Sequence, residues 1–366
     1  MASIDEIREK QQRVRELMDK EGLDALALST TANFAWFTCG GSNYVGIATE
    51  IGVATAVITR DAKYIVCDNI EAPRIADEEV ADQGFEFKTC FWYEGKKDEI
   101  IREIAGGGEL GSDTPMTGAK DVSAAVDPCR YSLTRDEIER YQWLGRDAGE
   151  SLALACRAVK PGMSEHEIAA ELSRNILARG MTPVVTLIAA DDRISKYRHP
   201  IPTDNKVGRC VMLVSCARKW GLIVSATRLV HFGPLSPELR AKHEAVTRVD
   251  AAFIAGTKPG ANVGDIFNRA VDTYAQTGFA DQWRLHHQGG PTGYKGREFR
   301  AHSASSAAVL QNQAFAWNPS ITGTKSEDTI IAGANGPAII SQIDDWPTID
   351  IDIDGVTVRR PHILVR

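Results

Sequence analysis

The hydrophobic positions near the start of the chain recur at helical spacing. Ile4, Ile7, Val14 and Leu17 lie three or seven residues apart, and a glycine follows at position 22. This spacing places apolar side chains on one face of a helix, and glycine tolerates the left-handed backbone that ends many helices. We therefore expect an amphipathic helix that ends at Gly22.

Short apolar runs follow this helix, together with one further helical segment. DALALS, IGVATAVIT and KYIVC have the length and aliphatic content of strands, whereas DEIIREIA has helical periodicity. Pro128 then interrupts the chain, and Thr134 with Glu137 has the spacing of a capping box at the start of a long helix. These features predict an α/β domain at residues 1–130 and a second domain at residues 131–366.

The second part of the chain contains an internal repeat. One copy begins with KPG at 160–162 and ends at Gly180, and the other begins with KPG at 258–260 and ends at Gly278, an offset of 98 residues at both ends. Each copy follows a long helical segment and precedes strand-rich sequence. The repeat predicts two α/β halves related by a pseudo-twofold axis, with a site between their strands.

Composition and charge exclude several classes of protein. With 43% hydrophobic and 25% charged residues the chain has the balance of a folded globular protein, and no stretch is apolar enough for a membrane span. The net charge of -7 comes without a basic cluster, which argues against nucleic-acid binding. The N-terminal sequence lacks the apolar core of a secretory signal, and the seven cysteines include no C-x-x-C pair. We expect a cytoplasmic protein with reduced thiols and a small-molecule substrate, and no membrane partner.

Five motifs of the second part occur in an order that resembles one enzyme family. They are YRHP at 197–200, a GL…TR hairpin at 221–228, HHQGG at 286–290, WNP at 317–319 and SEDT at 326–329. With the KPG helices, they resemble the creatinase, prolidase and aminopeptidase P family over the whole chain. The resemblance implies a creatinase-type α/β domain, then a C-terminal domain of the pita-bread fold, and a homodimer.

Peptidases of this family hold two divalent ions with two aspartates, one histidine and two glutamates, and this chain departs from that set. His287 and Glu327 keep their positions. Three positions lack the carboxylate: Val214 or Ser215, Ser225, and Asn318. Because paired divalent ions need anionic ligands between them, we predict no metal and no other cofactor. A single zinc ion on His199, His287 and Glu327 is the alternative that the residue types leave open.

Creatinase itself resembles this situation, since it keeps the fold without a metal and cleaves a C–N bond of a small amidino compound. By resemblance, His199 is the histidine that shuttles protons and Glu327 is the carboxylate that binds substrate. Arg297 and Glu298 resemble the Gly-Arg-Glu segment of creatinase. Thr227 stands where creatinase has a further glutamate, so the resemblance does not extend to its guanidino substrate.

The candidate catalytic residues are therefore His199, Glu327 and His287. Imidazole titrates near neutral pH, and a carboxylate can bind a cationic group, act as a base or attack. The candidate substrate-binding residues are Arg297, Glu298, Arg228, Asn318, Tyr294, Ser225 and Thr227. Arg297 is expected to bind a substrate carboxylate. His286 is expected to be a simple strand residue. In a dimer, Trp36 or Tyr44 is expected to close the partner's pocket.

These residues predict a metal-independent hydrolase that cleaves a C–N bond of a small, polar, carboxylated metabolite. Two alternatives are open. One is an Xaa-Pro peptidase that recruits an ion through a reduced ligand set. The other is a catalytically silent member of the fold that binds a ligand or a peptide. A C–N lyase also agrees with a histidine base and a carboxylate.

Overall fold

The computed structural model describes residues 3–366 as two compact units. Unit 1 comprises the residues up to Ile138 together with Trp220–Leu222, and unit 2 comprises Glu139–Lys219 and Ile223–Arg366. Within residues 3–366, no helix combines the length and the apolarity that a bilayer crossing requires. All seven cysteines are free thiols, as their spacing predicted.

Unit 1 is an α/β unit, and its elements up to the long helix are, in chain order, α1 (Ile4–Glu21), β1 (Ala25–Thr30), α2 (Thr31–Phe37), β2 (Ile51–Thr59), β3 (Lys63–Asp68), α3 (Ala72–Arg74), β4 (Glu86–Cys90), α4 (Lys97–Ala105), β5 (Leu110–Ser112), β6 (Lys120–Asp121) and α5 (Ser123–Val126). The strands form one mixed sheet in the order β4-β3-β2-β1-β5-β6. The first helix begins at the N-cap Ser3 and ends at Gly22, whose φ of 70° is the left-handed conformation expected there. The helix and strands predicted for this part of the chain are confirmed. The domain boundary after residue 130 stays a prediction.

The remaining elements are, in chain order, α6 (Arg135–Ala158), α7 (Glu165–Leu177), β7 (Thr182–Ala190), α8 (Arg193–Lys196), β8 (Cys210–Lys219), β9 (Leu222–His231), α9 (Pro237–Gly256), α10 (Val263–Gln276), β10 (Gly289–Thr292), β11 (Gln313–Trp317), β12 (Ser320–Ile321), β13 (Thr324–Lys325), β14 (Asp328–Gly333), β15 (Gly336–Ile339), β16 (Thr348–Ile353), β17 (Val356–Pro361) and β18 (Leu364–Val365). The capping box at the start of α6 is present. The Thr134 amide donates to Glu137 Oε2 at 2.7 Å, and the Glu137 amide donates to Thr134 Oγ1 at 3.2 Å.

The sequence repeat corresponds to two halves of unit 2. In the first half α6 and α7 precede the sheet β18-β9-β8-β7, and in the second α9 and α10 precede the sheet β10-β11-β14-β15. The repeated glycines have similar backbone angles: φ is 89° at Gly162 and 87° at Gly260, and 65° at Gly180 and 85° at Gly278. Both copies therefore use glycine for the same left-handed turns around the second helix of each pair.

An aromatic core fixes the second half. Phe253 of α9 stacks on Trp317 of β11 with ring centroids 4.4 Å apart, and Phe315 stacks on the same indole at 5.4 Å. The Trp317 indole N–H also donates to Thr257 Oγ1 at 2.9 Å. These contacts hold the end of β11, and they fix the position of Asn318, the next residue.

The two sheets of unit 2 meet at an antiparallel bridge between Thr227 of β9 and Glu327, which we call the seam. The Thr227 amide donates to the Glu327 carbonyl at 3.1 Å. Beside it, the Ser225 amide donates to Thr329 Oγ1 at 2.8 Å. The seam therefore brings polar residues from the strands of both halves together, as the repeat predicted.

Candidate active site

Alternation along the chain at the seam separates two sets of side chains. Lys325 ends β13 and Asp328 begins β14, and an extended chain points successive side chains to opposite sides. Lys325 contacts Glu327, with Nζ 2.7 Å from Oε2. Ser326 and Asp328 instead join a buried network of ion pairs. One short segment therefore supplies both the site and its support.

Both oxygens of the Glu327 carboxylate have fixed partners. Oε2 accepts hydrogen bonds from Lys325 Nζ at 2.7 Å and from Thr227 Oγ1 at 2.6 Å, and Oε1 accepts from Arg297 Nη2 at 3.2 Å. Burial alone would raise the pKa of Glu327, but Lys325 and Arg297 outweigh burial and lower it to about 2. Glu327 is therefore ionised at neutral pH and is a weak base.

Three histidines form a cluster in which one ring nitrogen of each lies within 4.8 Å of the others. His199 follows α8, and His286 and His287 precede β10. The Nε2 atoms of His199 and His286 are 3.1 Å apart, so one of these rings donates to the other. The Nδ1 atoms of His286 and His287 are buried and have no hydrogen-bond partner among residues 3–366.

The histidine cluster is neutral at pH 7, because burial and nearby cations both disfavour protonation. Burial is the larger cause, and it lowers the pKa of His286 to about 2, followed by the charge of Lys325. Burial lowers the pKa of His287 to about 4, followed by Arg297. The pKa of His199 is also lowered, first by burial and then by Lys325. A neutral imidazole can accept a proton, so His199 keeps the property that its predicted role requires.

Asn318, Ser225 and Thr227 all lie at the seam. Thr227 binds Glu327, as described above. The backbone N–H of Asn318 donates to the backbone carbonyl of Gln288 at 3.1 Å, which places Asn318 next to the histidine segment. Its side-chain Oδ1 is buried and has no partner among the described residues. The Ser225 hydroxyl is fully buried and lies 3.2 Å from Cys216 Sγ.

Tyr294, Arg297 and Glu298 lie in the loop after β10, and Tyr294 is buried. Besides its contact with Glu327, Arg297 donates from Nη1 to the Gly296 carbonyl at 2.5 Å. Arg297 Nε is buried and has no partner within residues 3–366. The guanidinium therefore keeps Nε as a donor for a ligand, although Nη2 is used on Glu327.

Arg228 belongs to the buried network behind the seam. Its guanidinium pairs with Asp328 at 2.9 Å and donates to the Ser341 carbonyl at 3.2 Å. Arg360 completes the network by pairing with Asp250 at 2.6 Å and with Asp328 at 2.7 Å. This placement gives Arg228 a structural role and lends no support to its predicted contact with substrate.

Sequence reasoning missed Lys325 and gave His286 too little weight. Lys325 stands two residues before Glu327, so the alternation of an extended strand was a usable signal. His286 joins the cluster with its neighbour because regular strand structure begins only at Gly289. Trp36 is fully buried in unit 1, which agrees with core packing and not with contact to a partner.

The sequence profile of metallopeptidase family M24 matches residues 144–339, more than half of the chain. The chain belongs to this family. An Xaa-Pro dipeptidase of Pyrococcus horikoshii is 21% identical over 356 residues, covering 91% of this chain and 97% of that protein. Two solved structures share the fold: the prolidase from Pyrococcus horikoshii (TM-score 0.78, 20% identity, 92% of this chain and 99% of that one) and an Xaa-Pro dipeptidase from Bacillus anthracis (TM-score 0.78, 18% identity, 98% and 100%).

These comparisons confirm the family and the pita-bread fold that the motifs predicted. They support a hydrolase that acts on a C–N bond. Between the two predicted enzymes, they support the Xaa-Pro peptidase better than the metal-independent, creatinase-like hydrolase. The homodimer and the cytoplasmic location stay predictions.

The two-metal centre of the M24 peptidases does not fit the residues at this site. Val214 or Ser215 stands at the first family carboxylate position, Ser225 at the second and Asn318 at the third, and none of these side chains is a carboxylate. Glu327 has both oxygens engaged by protein donors. Two divalent ions here would lack bridging anions and would be repelled by Lys325.

Proposed function

We propose that this chain hydrolyses the C–N bond of a small, peptide-like amide that carries a carboxylate, using side chains rather than a metal pair. The observation that carries the proposal is a set of buried polar atoms without partners among the described residues: Nδ1 of His286, Nδ1 of His287, Oδ1 of Asn318 and Nε of Arg297. Buried polar atoms are normally hydrogen-bonded, so their concentration at one site supports a polar ligand there.

The charge balance of the site favours an anionic ligand. Lys325 and Arg297 are cations, Glu327 is an anion, and the histidines are neutral, so these groups sum to one positive charge. A substrate carboxylate would neutralise it, with Arg297 Nε as a donor. Because the M24 relatives include Xaa-Pro dipeptidases, dipeptides are the first class of substrate to test.

In this proposal neutral His199 accepts a proton from the attacking water. The water oxygen adds to the carbonyl carbon, the C–N bond breaks, and the imidazolium returns the proton to the leaving nitrogen. His286 orients His199 through the contact between their Nε2 atoms. Lys325 and Arg297 favour the negative charge that develops on the carbonyl oxygen. Glu327 is not the base, because its pKa is lowered, and it holds Lys325 and Arg297 in place instead.

The first test is turnover of dipeptides and small amides, with and without a free carboxylate, after exhaustive chelation. We expect hydrolysis of the free acids, much slower hydrolysis of the amidated forms, and no loss on chelation. His199→Ala should lower kcat by about 100-fold or more, which is the usual contribution of general acid–base catalysis.

His166→Ala is the matched control for that variant. His166 is an exposed histidine of unit 2 that lies 3.1 Å from Asp204, so its removal should leave kcat within about twofold. Unchanged turnover in His199→Ala would contradict the proposal. Binding of the same compounds without turnover, unaffected by His199→Ala, would favour the silent member of the fold.

A second candidate is an Xaa-Pro peptidase that uses a single ion. The convergence of one nitrogen each from His199, His286 and His287 favours it, since three histidines can hold zinc, which would supply Lewis-acid activation. Lys325 and Arg297 oppose a divalent ion there, so we place it second. About one ion per chain by mass spectrometry, with chelator-sensitive release of the residue before proline, would decide for this candidate.

A further inference from the structure

Lys325 is a buried lysine whose charge is matched by a single carboxylate. Its side chain is 5% exposed, and Nζ lies 2.7 Å from Glu327 Oε2, on a side chain that is 3% exposed. Within residues 3–366, Glu327 is its one ion-pair partner. Burying an ammonium group is costly unless it is paired, so this contact is a requirement of the fold and not an incidental surface pair.

The same contact occupies the carboxylate that the M24 peptidases use to bind metal. A carboxylate oxygen that binds such an ion approaches it to about 2.0–2.2 Å. Here Oε2 already accepts hydrogen bonds from Lys325 and Thr227, and Oε1 accepts one from Arg297. A divalent ion bound to Glu327 would lie beside a buried ammonium and a buried guanidinium group, and both would repel it.

We propose that the Lys325 ammonium is an internal cation that takes the place of a metal ion at Glu327. It fixes the orientation of the carboxylate and closes it to divalent ions. The inference deepens the proposed function, because it explains how Glu327 stays in place without a metal, but it does not depend on the identity of the substrate. Lys325 is thus a positioning residue for Glu327.

Chemical rescue of Lys325→Ala tests the need for a cation. The melting temperature should fall by about 10 °C, since Glu327 loses the nearer of its two ion-pair partners. n-Propylammonium has the size and charge of the deleted atoms and should recover part of the loss, whereas uncharged 1-propanol should not. The recovery should disappear in Lys325→Ala/Glu327→Gln. Equal recovery with 1-propanol would show that only a cavity is being filled and would overturn the proposal.

Binding of Mn²⁺, followed by electron paramagnetic resonance, is the second readout. Mn²⁺ binding by the wild-type protein should be unchanged in Glu327→Gln. Lys325→Ala should bind Mn²⁺ that the wild type does not bind, and Lys325→Ala/Glu327→Gln should lose this additional binding. Mn²⁺ binding by wild-type protein that depends on Glu327 would overturn the proposal. Neither readout uses turnover, so a failure of the proposed function and a failure of this inference are distinguishable.

Two further variants keep the test decisive if Lys325→Ala does not fold. Lys325→Arg keeps the charge, and its melting temperature should stay within about 3 °C of the wild-type value. The melting temperature of Lys325→Gln should fall well below the wild-type value. A Lys325→Gln protein as stable as the wild type would overturn the proposal. Lys242→Gln is the matched control, because Lys242 pairs with the exposed Glu238 along one helix and should change little.

Discussion

Replacing Arg360 by methionine is expected to lower the free energy of unfolding by about 3–5 kcal/mol. Arg360 is 1% exposed and lies 2.6 Å from Asp250 Oδ2 and 2.7 Å from Asp328 Oδ2. Methionine fills much of the space but carries no charge, so Asp250 loses its ion pair with Arg360 while Asp328 keeps Arg228. Urea denaturation followed by tryptophan fluorescence measures the loss.

Arg359→Met is the matched control, one position earlier on the same strand. Arg359 pairs with Asp350 at 3.0 Å, but both side chains are more than half exposed, so the change should stay within about 0.5 kcal/mol. Adding Asp250→Asn to Arg360→Met should restore part of the loss, because it removes one uncompensated carboxylate. Equal losses at positions 359 and 360 would contradict the importance of the buried network.

Lowering the pH from 7 to 5 is expected to destabilise the wild type relative to His243→Asn by about 2 kcal/mol. His243 is buried on α9, with Nδ1 2.7 Å from Thr324 Oγ1 and Nε2 3.1 Å from the Pro361 carbonyl. Burial lowers its pKa from 6.5 to about 3 in the folded state. Below pH 6.5 the unfolded chain therefore binds a proton at His243 that the folded chain excludes. The stability contributed by neutral His243 is complete above pH 6.5 and is lost progressively below it.

Asp250→Asn provides a control of opposite sign. Burial raises the pKa of Asp250 from 3.8 to about 6, so the folded state takes up this proton first. The wild type should gain stability relative to Asp250→Asn as the pH falls from about 6 to about 4. Urea unfolding at each pH measures both differences. If the stability difference from the wild type changed with pH in the same direction for both variants, the opposite pKa shifts of His243 and Asp250 would be contradicted.

The repeat and the helix ends were predictable because each depends on a few neighbouring residues. Thr134 and Glu137 form the capping box that their spacing indicated, and Gly162 and Gly260 have nearly equal φ angles. Motif order was sufficient for the family, since several short motifs in one order are specific even when each is weak. The duplication also predicted that polar residues of the two halves meet, and they do so at the bridge between Thr227 and Glu327.

The cations around Glu327 were harder to predict than the loss of the metal ligands. Comparison with the family motifs shows which carboxylates are missing, but it does not show which groups compensate. Arg297 reaches Glu327 across 30 residues of sequence, and Arg360 reaches Asp328 across 32, so only the tertiary packing of the folded chain brings them together. Lys325 was missed as well, although strand alternation places it on the same side as Glu327.

The alternation at the seam also makes this segment sensitive to a change of length. Lys325 and Glu327 lie at the site, while Ser326 and Asp328 hold the strand in the buried network. Deleting one residue upstream of Ser326 would move Asp328 to the place of Glu327 and Glu327 to the place of Ser326, against Arg360. The loss of a single residue here should therefore disrupt the site and the buried network at the same time.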